Sequence, residues 1–596
     1  MFIKDSINYN CLNSFMKVHK VILILLNFLL APLAQAQQTL WASQQDKEGT
    51  YSIQDSVMIR TRDEAEISVM VVRKKNDNVP RPAVLQFTIY VRDKGRDMQS
   101  LKEAADRGYV GVMAYTRGKR FSQSEIYPYE TDGKDAYDVI DWISKQPWCN
   151  GKIGMYGGSY NGFTQWAAAK NLHPALKTIV PYVANRPGMG LPMENNIFIN
   201  PNYEWSFYIG NNKYLDNKTG DDRKRFRDMM FKWWETGVAY HKMDSIDGTP
   251  NRLFQRWISH PAFDKYWQDM APYKEDFAKI NIPVLAFDGY YNDSQNSGIY
   301  YLRELNKYSP KTPAYLVIGP YGHFGTQMGG QEVINGYTVS KNALFPIKQY
   351  TYQWLDYILK GAEKPFFLKD KINYQVMGTD EWRSAASLEA MHNSYLKFYL
   401  SSSKVSEKEY LLSPNKPEPN KYLVQKVDFA DRTISNNDYY PDPIIRESLA
   451  GNGYVFISEP LDAMLVNGSF LGNIKLSINK KDVDLGLTLY ELTPEGKYFH
   501  ISYYSGRASY AKDITKRQLL TPGKKETVTF ENTHLVSKQL QKGSRLVIVL
   551  NVNKNAFSEL NYGSGKAVTT ETIADAKEPL IIQWFNDSFV EIPILK

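Results

Sequence analysis

Three observations predict an α/β fold followed by an all-β domain. Between residues 83 and 183, and again between 282 and 359, short apolar runs alternate with helical patterns. That alternation means a mostly parallel sheet with helices on both faces. Within it, Ile153–Tyr156 runs into Gly157-Gly158-Ser159-Tyr160-Asn161-Gly162 and then into a helix-forming stretch, a sharp strand–turn–helix. Beyond about Lys371 helical patterns nearly vanish, and short strands separated by Gly, Asn, Asp and Pro predict a sandwich or jelly roll.

In chain order, Met16 opens a basic and then apolar stretch ending in Ala34-Gln35-Ala36, so residues 1–36 read as a signal peptide cut after Ala36. The apolar run is too short to span a bilayer, and Cys11 leaves with the leader. Cys149 then stands alone, so the exported chain carries no intrachain disulfide. Periplasmic or secreted placement is the expectation. Alternation over residues 51–75 predicts a hairpin around Arg62-Asp63-Glu64, and Ala83–Ile89 predicts a strand. A helix over Gln99–Arg107, a buried strand over Tyr109–Tyr115 and a helix over Asp132–Gln146 ended by Pro147 follow. Leu176–Val183 is the strand after the elbow helix.

From about Gly190 to Lys279 aromatic helical segments such as FRDMMFKWWETGVAY interrupt the sheet, as a cap lying over it would. Ile282–Phe287 and Ala314–Ile318 resume the sheet, and a helix over Ile347–Leu359 closes this half. The β half begins with a strand over Tyr374–Met377. The polar stretch Ser401–Pro443 is read as extended loops. The expected division is 1–36, a core in two parts over 37–190 and 281–368, a cap over 191–280, and a β domain over 369–596.

The turn at Ser159 has the form of a nucleophile elbow. Glycines on both sides admit the close approach that lifts a hydroxyl above the sheet, and the helix behind it aims N–H groups at a developing oxyanion. A serine nucleophile needs a base, and the base an orienting partner, each on a loop after a later strand. Ala314–Ile318 runs into Gly319-Pro320-Tyr321-Gly322-His323, which places His323 as the base. Of the other histidines, His173 and His260 precede prolines, His241 lies in the cap, and His392, His500 and His534 lie in the second half. For the orienting partner, Asp288, Asn292 and Asp293 all follow the strand Ile282–Phe287, and spacing alone does not choose among them.

These pieces, with WISKQPWCNGKIGMYGGSYNG, GYVGVMAYTRGKR, HPAFDKYW, YLVIGPYGH, WLDYILKG and DVDLGLTLYELTPEG, give a chain that resembles the family of cocaine esterase, glutaryl-7-aminocephalosporanate acylase, α-amino-acid ester hydrolase and X-Pro dipeptidyl-peptidase. The resemblance runs over nearly the whole chain after the leader. It implies an α/β-hydrolase core, a helical cap, a C-terminal jelly roll and hydrolysis through an acyl-enzyme. It maps Ser159 to the nucleophile and His323 to the base. It also maps the Tyr90 hydroxyl and the Tyr160 backbone N–H to the oxyanion hole. The family writes Gly, two residues, then Asp; here that register gives Gly289, Tyr290, Tyr291 and Asn292, with Asp293 one place late. Asp293 is the favoured partner of His323 and Asn292 the alternative.

The expected function is therefore an exported serine hydrolase of esters or amides, taking a small acyl, aminoacyl or short-peptide substrate. A weakly active or non-catalytic binding protein of the same fold is the alternative, motivated by Asn292. Amino-group recognition would need acids near the site, and the cap offers Glu194, Glu204, Asp264 and Asp269. No metal or cofactor signature is present: no HExxH, no cysteine pair, no Asp-rich loop, no phosphate-cradling loop. No basic cluster suggests a nucleic-acid partner.

Overall fold

The computed structural model describes residues 49–596 other than 93, 419, 434, 436–441, 450 and 532. The leader read over 1–36 lies outside the described residues. The described residues fall into two compact units, 49–52 with 74–77, and the remainder. In the first, the Lys75 N–H donates to Thr50 O at 3.0 Å and the Lys74 ammonium sits 4.5 Å over the Tyr51 ring. The site lies wholly in the second.

Its first half is built on a sheet of ten strands among the described residues. Their order is Tyr51–Arg60, Glu66–Lys74, Val110–Tyr115, Arg81–Thr88, Cys149–Gly158, Leu176–Tyr182, Val284–Tyr291, Ala314–Gly322, Ile372–Gln375 and Trp382–Ala385. The seven from Val110–Tyr115 to Ile372–Gln375 pair in parallel. Parallel strands need crossovers, and the helices Lys94–Asp106, Asp132–Ser144, Tyr160–Lys170 and Gln295–Tyr308 supply them. Both faces are thus covered, so Val284–Tyr291 and Val110–Tyr115 are buried at every position.

One strand sits elsewhere than the sequence suggests. The run read as the first strand of the β half, Tyr374–Met377, is Ile372–Gln375 and extends the first sheet beside Ala314–Gly322. It is a four-residue strand with no crossover pattern after it. Its partner is therefore set by tertiary contact and is not visible in local periodicity.

Between the two runs of the sheet come the helices Pro201–Gly210, Arg223–Thr236, Arg252–Ile258 and Lys265–Met270. Trp205 stacks on Tyr129 (5.7 Å, 22°) and on Trp257 (6.1 Å, 28°), so the cap packs on the core through aromatic faces.

From Ser394 onward the described residues form strands and short 3₁₀ turns, in one sheet of fourteen strands from which Met464–Gly468 and Val536–Leu540 branch beside Phe589–Leu595. The stretch 401–443 is not all loop. Ser394–Lys404, Glu409–Ser413 and Tyr422–Val427 are strands there. Tyr422–Val427 pairs with Leu580–Phe585 and buries only Gln425 and Val427, so its polar sequence lacks an apolar run although it is a strand. No helix among the described residues is long and apolar enough to cross a membrane.

Candidate active site

In a parallel sheet every strand's carboxyl end opens on the same edge, and ligands bind there. Tyr90 follows Arg81–Thr88, Ser159 follows Cys149–Gly158, Asn292 follows Val284–Tyr291 and His323 follows Ala314–Gly322. Gly322 pairs with Tyr291 across these two neighbouring strands, so the residues that follow them, His323 and Asn292, emerge side by side.

Ser159 has φ 63° and ψ −122°, a left-handed conformation that costs a serine about 1–3 kcal/mol and needs over-determined surroundings. Gln165 provides the brace. Its Nε2 donates to the carbonyls of Gly157 (3.1 Å) and Asn161 (2.8 Å), and its Oε1 accepts the Val180 N–H at 2.7 Å. The Ser159 N–H donates to Tyr182 O at 3.0 Å, tying the apex to the neighbouring strand. Gly162 is required because a Cβ there would meet Tyr182 O at 2.8 Å and Ala184 at 2.9 Å.

The Tyr90 hydroxyl lies 3.2 Å from Ser159 Oγ. Burial raises its pKa. A hydroxyl so placed can donate to an oxyanion forming beside Oγ, and Tyr160, the residue after the nucleophile candidate, opens the elbow helix. Tyr160 is itself pinned. Its hydroxyl donates to Asp132 Oδ2 at 2.8 Å and accepts the Tyr129 N–H at 2.9 Å. Burial pushes the Asp132 carboxyl up to about 7.

At His323 the structure brings both candidate partners to one atom. Nδ1 lies 2.8 Å from Asn292 Oδ1 in hydrogen-bonding geometry. Asp293 Oδ1 lies 3.2 Å from the same Nδ1, yet this buried oxygen accepts no hydrogen bond. An amide thus takes the N–H while a carboxylate stands beside it. Burial opposes protonation of His323, but Asp293, with Asp288 behind it, outweighs that and raises its pKa. Burial likewise opposes ionisation of Asp293, but His323 prevails and lowers its pKa. Asp288, the third candidate, does not touch the imidazole. Its Oδ1 accepts from the Asn292 side chain and from the Gly289 N–H, each at 2.8 Å, and burial pushes it up to about 7.

The histidine loop touches the elbow through Gln327. One turn after His323, its Nε2 donates to His323 O at 3.1 Å, and its Oε1 lies where a Cβ at Gly158 would be. The β domain holds the other side of the acid loop. Gln295 Nε2 donates to Leu535 O (2.9 Å) and its Oε1 accepts the Leu535 N–H (2.6 Å), while the Tyr291 hydroxyl donates to His500 O at 2.9 Å.

Of the four cap acids, three are occupied elsewhere: Glu204 with Arg223, Asp264 with His260, and Asp269 with Lys265. Glu194 is different. Its Oε1 accepts from Asn296, at the start of the helix after the acid loop, at 2.9 Å and lies 3.7 Å from His534 Nε2. The braces Gln165, Asp132, Gln327 and Gln295 were not identified from sequence. Only the amide's position one turn into the elbow helix could have pointed to Gln165. Nothing local marks the others.

Two family models match the chain, X-Pro dipeptidyl-peptidase (S15 family) over residues 63–325 and the X-Pro dipeptidyl-peptidase C-terminal non-catalytic domain over 368–572. Cocaine esterase of Rhodococcus sp. (strain MB1 Bresler) is 23% identical over 571 residues, covering 89% of this chain and 95% of that one. An aminopeptidase from a marine sediment archaeon, Thaumarchaeota archaeon, superposes with TM-score 0.76 at 17% identity, over 93% of this chain and 98% of its own. An α-amino acid ester hydrolase gives TM-score 0.73 at 18% identity, over 92% and 97%. The α/β core, the all-β domain and these matches agree, and the chain belongs to the CocE/NonD and X-Pro dipeptidyl-peptidase family of serine hydrolases.

Proposed function

We propose that this protein hydrolyses ester or amide bonds of small acyl or aminoacyl substrates through an acyl-enzyme on Ser159. The carrying observation is the Tyr90 hydroxyl 3.2 Å from Ser159 Oγ at a strained elbow. In this reading His323 takes the serine proton through Nε2, because Nδ1 is engaged by Asn292. Asp293 stabilises the imidazolium that forms. Tyr90 and the Tyr160 N–H hold the oxyanion of the tetrahedral intermediate. His323 then returns the proton to the leaving oxygen or nitrogen, and water repeats the sequence to release the acid. Cocaine esterase and the α-amino acid ester hydrolase, both named for ester substrates, support the ester class.

The test is a fluorophosphonate probe followed by a panel of p-nitrophenyl esters, aminoacyl nitroanilides and X-Pro nitroanilides. Labelling and turnover that vanish in Ser159→Ala support the reading; folded protein that is never labelled supports a non-catalytic binding protein instead. A substrate with a free α-amino group is a second reading, favoured by Glu194 beside the acid loop. Glu194→Gln would then raise KM for aminoacyl nitroanilides and leave simple acetyl esters unaffected. Export with cleavage after Ala36 is part of the proposal, and N-terminal sequencing of the protein from its native host tests it.

A further inference from the structure

His323 meets an amide, and an amide has two unlike ends. If the oxygen of Asn292 faces Nδ1, that nitrogen must carry a hydrogen, and Nε2 is left with the lone pair that a base requires. If the amide turns over, its NH₂ faces Nδ1, the tautomer reverses, and Nε2 holds a hydrogen it cannot use to accept one. A carboxylate at this place would have no such ambiguity, since both its oxygens accept. A chain with asparagine here therefore needs something that fixes the amide's sense.

Asp288 meets that need. It is 2% exposed, Asn292 is fully buried, and Asp288 Oδ1 lies 2.8 Å from Asn292 Nδ2. The same Oδ1 accepts the Gly289 N–H at 2.8 Å, so it is an acceptor whether or not a proton sits on Oδ2. Only an NH₂ can face it. The Ser294 N–H approaches Asn292 Oδ1 at 3.4 Å and favours the same sense from the other end. Asp288 Oδ2 lies against Gly298, where a Cβ would collide with it, so the carboxyl is seated by the helix that follows the acid loop.

We propose that Asp288 is a positioning residue that locks the sense of the Asn292 amide and thereby selects the Nδ1–H tautomer of His323. It acts through Asn292 and touches no reacting atom. The inference rests on the base role given to His323 above, but its structural content, the tautomer, is measurable without turnover.

The experiment uses the full chain labelled with [¹⁵N]histidine, with the His323 signals assigned by comparison with His323→Gln. Because Asp293 also faces Nδ1, the spectra are recorded on the Asp293→Ala background, where the Asn292 amide alone faces that nitrogen and selects the tautomer. With Asp288 intact, Nδ1 carries the hydrogen. Asp288→Leu is expected to give a mixture or the reversed form, and kcat falls a further tenfold to hundredfold, roughly the loss typical of outer-shell partners, with KM nearly unchanged. Asp288→Asn, which keeps an acceptor at Oδ1, is expected to retain the tautomer. On an Asn292→Asp background Asp288→Leu is expected to cost far less, because a carboxylate needs no orienting. Should Asp288→Leu not fold, Gly298→Ala displaces the carboxyl from behind and is expected to shift the tautomer the same way. An unchanged tautomer in the folded variants, or an equal kcat loss with Asp at 292, overturns the proposal. Absence of Ser159 labelling in the unsubstituted protein would instead overturn the hydrolase reading, and the spectra would still decide Asp288.

Discussion

Asp293 stands 3.2 Å from Nδ1 of His323 but off the axis of its N–H, which is directed at Asn292 Oδ1, 2.8 Å away. A hydrogen bond is directional and a Coulomb attraction is not. In the proposed mechanism the two duties that one aspartate performs in an ordinary triad are divided between neighbours, orientation to the amide and charge to the carboxylate.

Asp293→Ala separates them. With the carboxylate gone, His323 loses the charge that raises its pKa. The base stays neutral to lower pH, so the acid limb of the kcat/KM profile moves down. The height of the profile falls as well, because the imidazolium is less stabilised. A pH–rate profile against a p-nitrophenyl ester measures both; an acid limb that stays in place would mean that Asp293 does not act on His323.

Asn292→Ala should do the reverse. Orientation is lost while charge remains, so kcat falls while the acid limb shifts less than in Asp293→Ala. Loss of the orienting partner of a serine triad has lowered turnover by about 10⁴ in a related case, which sets the upper bound here.

Tyr90→Phe removes the hydroxyl beside Oγ. By comparison with other oxyanion donors kcat should drop about 10²- to 10³-fold with little change in KM. The thermal transition should stay near that of the unsubstituted protein, since the ring is retained. Steady-state kinetics and a melting curve suffice.

The strain at Ser159 is open to measurement. Glycine adopts positive φ freely, whereas alanine does not. Ser159→Gly should be more stable than Ser159→Ala by about 1 kcal/mol in urea unfolding. Equal stabilities would argue against the left-handed apex.

Asp132 links the site to stability. Burial raises its folded pKa from 3.8 to about 7. A raised carboxyl binds its proton more tightly when folded. Its stabilising contribution is thus complete below pH 3.8 and is lost as pH rises toward about 7. Asp132→Asn, which keeps an acceptor for the Tyr160 hydroxyl, should flatten this part of the stability–pH curve. Urea unfolding at pH 5 and pH 8 compares the two proteins.

The elements read most surely from sequence were those in which several signals coincide. Ser159 sits where an apolar strand, close-packed glycines and a helix former meet, and His323 where a buried strand ends in glycines. The parallel sheet followed from fully apolar strands alternating with amphipathic helices. The acid was not legible, because Asn292 and Asp293 point to one atom through a turn whose shape no spacing encodes. The strands between 401 and 427 are hidden because each shows solvent a polar face, and the sheet that Ile372–Gln375 joins is hidden because pairing partners are chosen in three dimensions. Gln165, Gln327 and Gln295 act by reaching other segments, and their neighbours in sequence say nothing of that.

The amide of Gln295 joins the Leu535 backbone as though it were one more peptide unit, with donor and acceptor both matched. The helix that begins there carries Gly298, against which Asp288 is seated. A segment the family model calls non-catalytic therefore reaches the imidazole through Gln295, Gly298, Asp288 and Asn292. Severing it near residue 390 would leave a half with its serine still in place and the proton acceptor's alignment unsupported, so fragments of this protein should not be expected to turn over substrate alone.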